Sequence, residues 1–229
     1  MPESNESNTF SISPSISILV AGILIAGSIV FVNRYPAPTV DVEQPTTVVN
    51  IPLPSQSDHR MGSLTAPLVL VEYSDFQCPF CALIHPTLKK IVDESNGKIA
   101  WVYRHFPLES IHPHAKPAAL AAECIAEQLG DTGFWKFADA LFADQSKMSS
   151  TYYAQLATQF GANKNTFSAC VASEKYVSKI DSESADAQKN GGQGTPYTVV
   201  VGKKLQIPFS GALPYAQIMS VIKAVESRQ

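Results

Sequence analysis

From Pro67 onward the chain switches between two hydrophobic periods. The stretch PLVLVEYSDF (67–76) is apolar and β-branched, the pattern of a strand buried on both faces, and a single acid, Glu72, interrupts it. ALIHPTLKKIVDES (82–95) places Leu83, Leu88, Ile91 and Val92 on one face of a predicted helix, with Pro86 inside the pattern expected to kink it. KIAWVYRHFP (98–107) reads as a second strand, so the first part is a βαβ unit. A helical block follows. AKPAALAAECIAEQLG (115–130) ends at Gly130, GFWKFADALFA (133–143) has helical spacing, and STYYAQLATQFG (150–161) starts at a Ser/Thr cap and ends at glycine. Residues 164–192 supply one or two more helices. Strand character returns in TPYTVVVGKKLQIPFSG (195–211), two strands about a Gly202-Lys203-Lys204 turn, and PYAQIMSVIKAVES (214–227) closes the chain as an amphipathic helix. The order is βαβ, helical block, ββα. Trp101, Trp135 and Phe137 fall at core positions.

The N-terminal part obeys neither period. Ile16–Val32 is uncharged over about 17 residues, the short end of a membrane span. A buried core helix would lack its polar flanks. A cleaved signal peptide would have a basic start and a small-residue cleavage site, and neither is present. The expectation is an uncleaved transmembrane anchor at 16–32, preceded by a polar segment at 1–15. A linker at 33–62 follows, with Pro36, Pro38, Pro45, Pro52 and Pro54 keeping it extended, and the folded domain occupies 63–229. Arg34 biases the following side weakly toward the cytoplasm, too thin a signal to set orientation.

Composition narrows the function. The 229 residues suit one domain with appendages, and a 45% hydrophobic content supports a core. The net charge of −3 comes from Glu3, Glu6, Asp41 and Glu43 against Arg34, leaving 16 basic and 16 acidic residues beyond position 50. There is no basic stripe, so nucleic acid is not an expected partner. Four cysteines are too few for a disulfide scaffold.

Two of those cysteines carry the chemistry. Cys78 and Cys81 sit in YSDFQCPFCALIHP (73–86), at a predicted strand-to-helix junction. A zinc site would need a second ligand pair, which Cys124, Cys170, His112 and His114 do not offer at suitable spacing. As a structural staple, a loop this small would add little stability. As a redox pair the arrangement works. A sulfur at a helix N-terminus meets unpaired amides and the positive end of the dipole, which favours thiolate over thiol. Pro79 suits the first helical position. Phe80 offers no polar help, so the acidity is expected to come mainly from backbone donors. Cys81, one turn in, is the buried, less acidic resolving thiol. GGQGTPYTVVVG (191–202) places Pro196 just before a strand, where a cis Thr195–Pro196 bond fits and a trans proline ending a glycine loop is the alternative.

VEYSDFQCPFCALIHP, YRHFPLESIHPHA and GTPYTVVVG together resemble the DsbA-like thiol:disulfide oxidoreductases in their membrane-anchored bacterial form, over about residues 62–227. The resemblance implies an α/β thioredoxin fold with a helical insertion at about 113–190. It implies that Cys78 attacks and Cys81 resolves. Thr195 and cis-Pro196 would lie opposite the sulfurs, where the Thr195 backbone docks an extended substrate. In such proteins an acid at the offset of Glu72 lies beneath the site and relays a proton; an outward-facing strand glutamate is the alternative. Asp75 reads as a turn or cap residue, and His85, His105, His112 and His114 as surface or capping residues. The resemblance also favours a Cys124–Cys170 bridge over two buried free thiols. Such a bridge, which persists in oxidising space, would place the domain on the extracytoplasmic side of the plasma membrane.

The function so implied is an oxidase that introduces disulfides into reduced or unfolded exported proteins and is reoxidised by a membrane partner. No cofactor and no metal are expected, and the protein is expected to be a monomer. A disulfide reductase or isomerase is the enzymatic alternative, and a tethered, non-catalytic peptide-binding or chaperone domain the non-enzymatic one.

Overall fold

The computed structural model describes residues 48–228. Five strands, β1 (His59–Met61), β2 (Leu68–Ser74), β3 (Ile99–His105), β4 (Tyr197–Val201) and β5 (Gln206–Ser210), form one sheet in the order β1-β3-β2-β4-β5. β2 and β3 are parallel and the other pairings antiparallel. Helix α1 (Pro79–Glu94) makes the β2–β3 crossover. Helices α2 (Ala115–Ala143), α3 (Ser150–Phe160), α4 (Lys164–Ala172) and α5 (Val177–Lys189) lie between β3 and β4 in sequence, and α6 (Tyr215–Glu226) follows β5.

The sheet is covered on both faces, which explains why β2 reads as a continuous apolar run. Side chains alternate across a strand. Leu68 and Leu70 with Trp101 and Tyr103 join the larger core, which includes Ile84 and Leu88 of α1 and Phe134 and Phe137 of α2. Val69, Val71 and Tyr73 join the opposite cluster with Val102, Val199 and Ala187. The alternation therefore carries Glu72 to the face of Leu70, beneath α1. Glu72 pairs in register with Tyr103 on one side and Thr198 on the other.

The long helix α2 is interrupted at Gly130, whose φ of 62° and ψ of −161° lie in a region that only glycine populates readily. Gly161 ends α3 in the left-handed conformation at φ 100°. On α1 the apolar face is Cys81, Ile84, Leu88, Ile91 and Val92. Leu83, predicted to share that face, is 63% exposed instead, because the face turns about Ile84.

The expected linker at 33–62 requires correction over its described part. Val49 donates its amide to the Gln206 carbonyl at 3.2 Å, and the Ile51 amide bonds the Gln206 side chain at 2.7 Å. Ile51 is buried, and β1 pairs with β3 through His59 and Met61. Asp58 forms a buried pair with Arg104 at 2.8 Å. A three-residue strand that carries His and Arg has too short and too polar a pattern to stand out from a proline-rich tract.

The segment expected to be a transmembrane anchor, 16–32, lies outside the described residues. Among the described residues no helix is long and apolar enough to cross a membrane. The longest, α2, carries Lys116, Glu123, Glu127, Asp131, Lys136 and Asp139.

Candidate functional site

Cys78 ends the turn after β2 and forms the N-cap of α1, with extended backbone at φ −72° and ψ 123°. Its carbonyl accepts the amides of Cys81 at 3.1 Å and Ala82 at 3.2 Å, starting the helix, and Pro79 occupies the first helical position. The turn is shaped by Asp75. Its carboxylate accepts the Gln77 amide at 2.7 Å, the Leu108 amide at 2.8 Å and the His112 ring at 2.7 Å, so the β2–α1 turn and the loop after β3 hang on one buried side chain.

Both sulfurs are free thiols. Cys78 is 3% exposed and Cys81 is fully buried. The Thr195–Pro196 bond is cis, and the Thr195 carbonyl lies 3.3 Å from the Cys78 sulfur. Phe80 projects into solvent from the first turn.

The two thiols are driven in opposite directions. Cys78 is lowered to about 6, first by a hydrogen bond from the Cys81 thiol; burial opposes this, and the Thr195 side chain and the amides of Cys81 and Phe80 add to it. Backbone donors therefore contribute, but the partner thiol leads, contrary to the sequence expectation. Cys81 is pushed well up by burial, by its bond to Cys78 and by the nearby Glu72 and Cys78 charges.

Glu72 is buried beneath this pair. Burial raises its carboxyl to about 7, despite hydrogen bonds from the Ser74 hydroxyl at 2.7 Å and the Trp101 indole at 3.0 Å, and the charge of Cys78 adds to the rise. Ser74 also acts on Cys81, lowering it. Ser74 is bonded to Glu72, and no sequence argument singled it out. A period-2 reading would have found it, since Ser74 follows Glu72 on the same face of β2.

The histidines also depart from expectation. His85 is buried and bonds Asp139 at 2.7 Å while packing edge-on against Trp101 at 5.0 Å. His105 and His59 each direct Nε2 to Glu123 Oε1 at 2.9 Å. These three side chains could chelate a cation. The ammonium of Lys179, 2.6 Å from the same oxygen, already supplies a positive charge there. Burial would raise the Glu123 carboxyl, but the two histidines hold it far below its ordinary value. His112 is half-buried on Asp75, and only His114 is exposed.

In the helical block, Cys124 of α2 and Cys170 of α4 are joined by a disulfide with Cα atoms 5.8 Å apart.

A thiol pair at the start of the helix that follows the central strand, faced by a cis-proline loop, defines a thioredoxin-fold thiol:disulfide exchange protein. The comparisons agree. A family profile described as thioredoxin matches residues 55–224, and the chain belongs to that family. Its fold is DsbA-like. DsbA2 of Pseudomonas aeruginosa is similar at 26% identity and a TM-score of 0.61, over 76% of this chain and 96% of that one. BdbD of Bacillus subtilis is similar at 23% identity and a TM-score of 0.65, over 79% of this chain and 100% of that one. The fold and the thiol pair are those of thiol:disulfide oxidoreductases of the DsbA type.

Curated relatives correct the expected location. The Na(+)/H(+) antiporter NhaA 3 of Salinispora tropica is 29% identical over 78% of this chain, and NhaA 1 of Mycolicibacterium vanbaalenii 33% identical over 77%. The chain spans 27% of the length of each. These matches are to proteins named as antiporters, and they contradict the expected single-pass location in the plasma membrane with an extracytoplasmic catalytic domain.

Proposed function

We propose that the protein is a dithiol oxidase that transfers the Cys78–Cys81 disulfide to reduced, unfolded polypeptides. A substrate thiolate attacks the Cys78 sulfur of the oxidised pair. A substrate–Cys78 bond forms, and the electron pair of the broken S–S bond leaves on Cys81. Cys81 is the group most averse to charge, so it takes a proton, for which Glu72 is the donor through Ser74. A second substrate thiolate then attacks the substrate sulfur of the mixed disulfide, and Cys78 leaves as a thiolate. The substrate is oxidised by two electrons, and the pair is left reduced, Cys78 as a thiolate and Cys81 as a thiol, with Glu72 ionised until it takes a proton from solvent. A separate oxidant protein must then restore the disulfide.

The observation that carries the reading is the divergence of the two sulfurs, one lowered to about 6 and the other raised. A stabilised thiolate in the reduced form makes the disulfide a stronger oxidant. Thr195 and Pro196 would present the backbone that docks the substrate, and Phe80 and Leu83, exposed one turn apart on α1, offer apolar contact to an unfolded chain.

The test is the equilibrium potential of the pair against glutathione. A value near about −120 mV supports an oxidase, and one near about −270 mV overturns that direction in favour of a reductase. Cys78→Ser should abolish oxidation of a reduced substrate, and Cys81→Ser should accumulate the mixed disulfide.

A further inference from the structure

One side chain reaches the active-site turn from the helical block. Gln145 lies 67 residues along the chain from Cys78, in a short 3-10 turn, Gln145–Lys147. Asp144 caps that turn by accepting the Ser146 amide at 3.2 Å, and buried Leu141 and Met148 bracket it. From this base the Gln145 amide nitrogen donates to the Phe76 carbonyl and to the Cys78 carbonyl, each at 2.9 Å. An amide NH2 carries two hydrogens, one for each bond. Both partners are carbonyls, which only accept, so the nitrogen must face them and the assignment of the amide is unambiguous.

The two bonded carbonyls bracket the peptide units of Gln77 and Cys78. They hold the extended backbone that places the Cys78 sulfur over the first turn of α1. The Cys78 carbonyl thereby takes three donors, the Cys81 amide at 3.1 Å, the Ala82 amide at 3.2 Å and Gln145 at 2.9 Å, the shared bonding common at a helix end. Gln145 is the one of the three that comes from outside α1, and it fixes the carbonyl on which the helix starts.

We infer that Gln145 is a positioning residue for thiol–disulfide exchange: from the helical insertion it locks the Phe76 and Cys78 carbonyls and so fixes the turn that presents the Cys78 sulfur at the start of α1. The inference rests on the reading of Cys78 as the attacking thiol.

The test uses Gln145→Ala and the isosteric Gln145→Glu in the full chain. Both should slow alkylation of Cys78 at pH 6 at least threefold. Both should raise the equilibrium constant for oxidation of the pair by glutathione disulfide at least threefold, since a less stabilised reduced form is more readily oxidised. The glutamate should have the larger effect, because an ionised carboxylate cannot donate and adds a negative charge beside the thiolate. If Gln145→Ala does not fold, the isosteric variant carries the test. A lowered melting temperature with alkylation and equilibrium constant within twofold of the parent would show a structural tie and overturn the inference. Cys78→Ser is run in parallel: exchange surviving in that variant would remove the underlying reading instead.

Discussion

Ser74 and Glu72 stand two residues apart on β2, and the Ser74 hydroxyl donates to Glu72 Oε1 at 2.7 Å. The carboxyl this hydroxyl holds is raised to about 7 by burial, beside the Cys81 thiol that burial also pushes up.

The first prediction concerns that carboxyl. Its folded value of about 7 lies above the 4.5 of a free glutamate. The unfolded chain therefore ionises first as pH rises, and the folded state loses stability from about pH 4.5 to pH 7. Each tenfold difference in proton affinity between the two states is worth about 1.4 kcal/mol, so the loss is on the order of 3 kcal/mol. Glu72→Gln keeps the shape and removes the titration. Urea unfolding of both reduced proteins across this range should show the parent declining relative to the variant; parallel curves would refute a buried, titrating carboxyl.

Cys78 has the opposite sign. Its folded value of about 6 lies below the 9.0 of the free thiol. Below pH 6 both states carry a thiol and nothing is gained. As pH rises through 6 the folded thiol ionises alone, so the reduced protein gains stability up to about pH 9 and loses it again on acidification. Thiolate absorbance of the reduced protein should titrate with a midpoint near 6. A midpoint near about 8.5 would mean that the site does nothing to this sulfur.

The Cys124–Cys170 bridge closes a loop across a sequence separation of 46. In the chain-entropy account a loop of that size contributes about 4 kcal/mol. The double variant Cys124→Ala/Cys170→Ala should lose about that much in denaturant unfolding, while its folded fraction still exchanges disulfides through Cys78. Loss of exchange in the folded fraction would mean that the bridge shapes the active site as well as the helical block.

Asp58 tests whether the stretch before β2 belongs to the domain. Burial raises its carboxyl, and the Arg104 guanidinium with the Ser55 amide more than offsets that, leaving it below the usual range. Arg104 also bonds the Tyr73 hydroxyl and the Pro52 carbonyl, each at 3.0 Å. Asp58→Ala strips the main counter-charge from a buried guanidinium and should cost about 3 kcal/mol. It should also open residues 48–62 to proteolysis. A change within about 0.5 kcal/mol, the size expected of a surface substitution, would show that the segment is not integral.

Much of this was legible in the residues. The period-2 pattern of β2 and β3, the helical spacing after Cys81, the glycine stops at Gly130 and Gly161 and the Cys-Pro-Phe-Cys turn are all local, and local periodicity records which face of an element is apolar. Sequence reading failed where contacts are long-range or the pattern is short and polar. β1 and the residues before it read as linker because a three-residue strand has too few positions to show a period. His85 and His105 read as surface residues because a histidine does not announce an acid brought to it from a distant helix. Gln145 carried no signal, since its partners are backbone carbonyls, which every residue has.

The order of elements from β2 onward and the placing of two cysteines one turn apart at a helix start were determined by the sequence alone, because they follow from neighbours within a few residues. Only the tertiary structure decided how acidic each sulfur is, that Glu72 is buried with Ser74 and Trp101 bonded to it, and that Gln145 grips the turn. Those depend on groups from the loop before β4, the helical block and the neighbouring strands, brought into contact by packing, where desolvation and hydrogen bonding set the protonation state of a buried group.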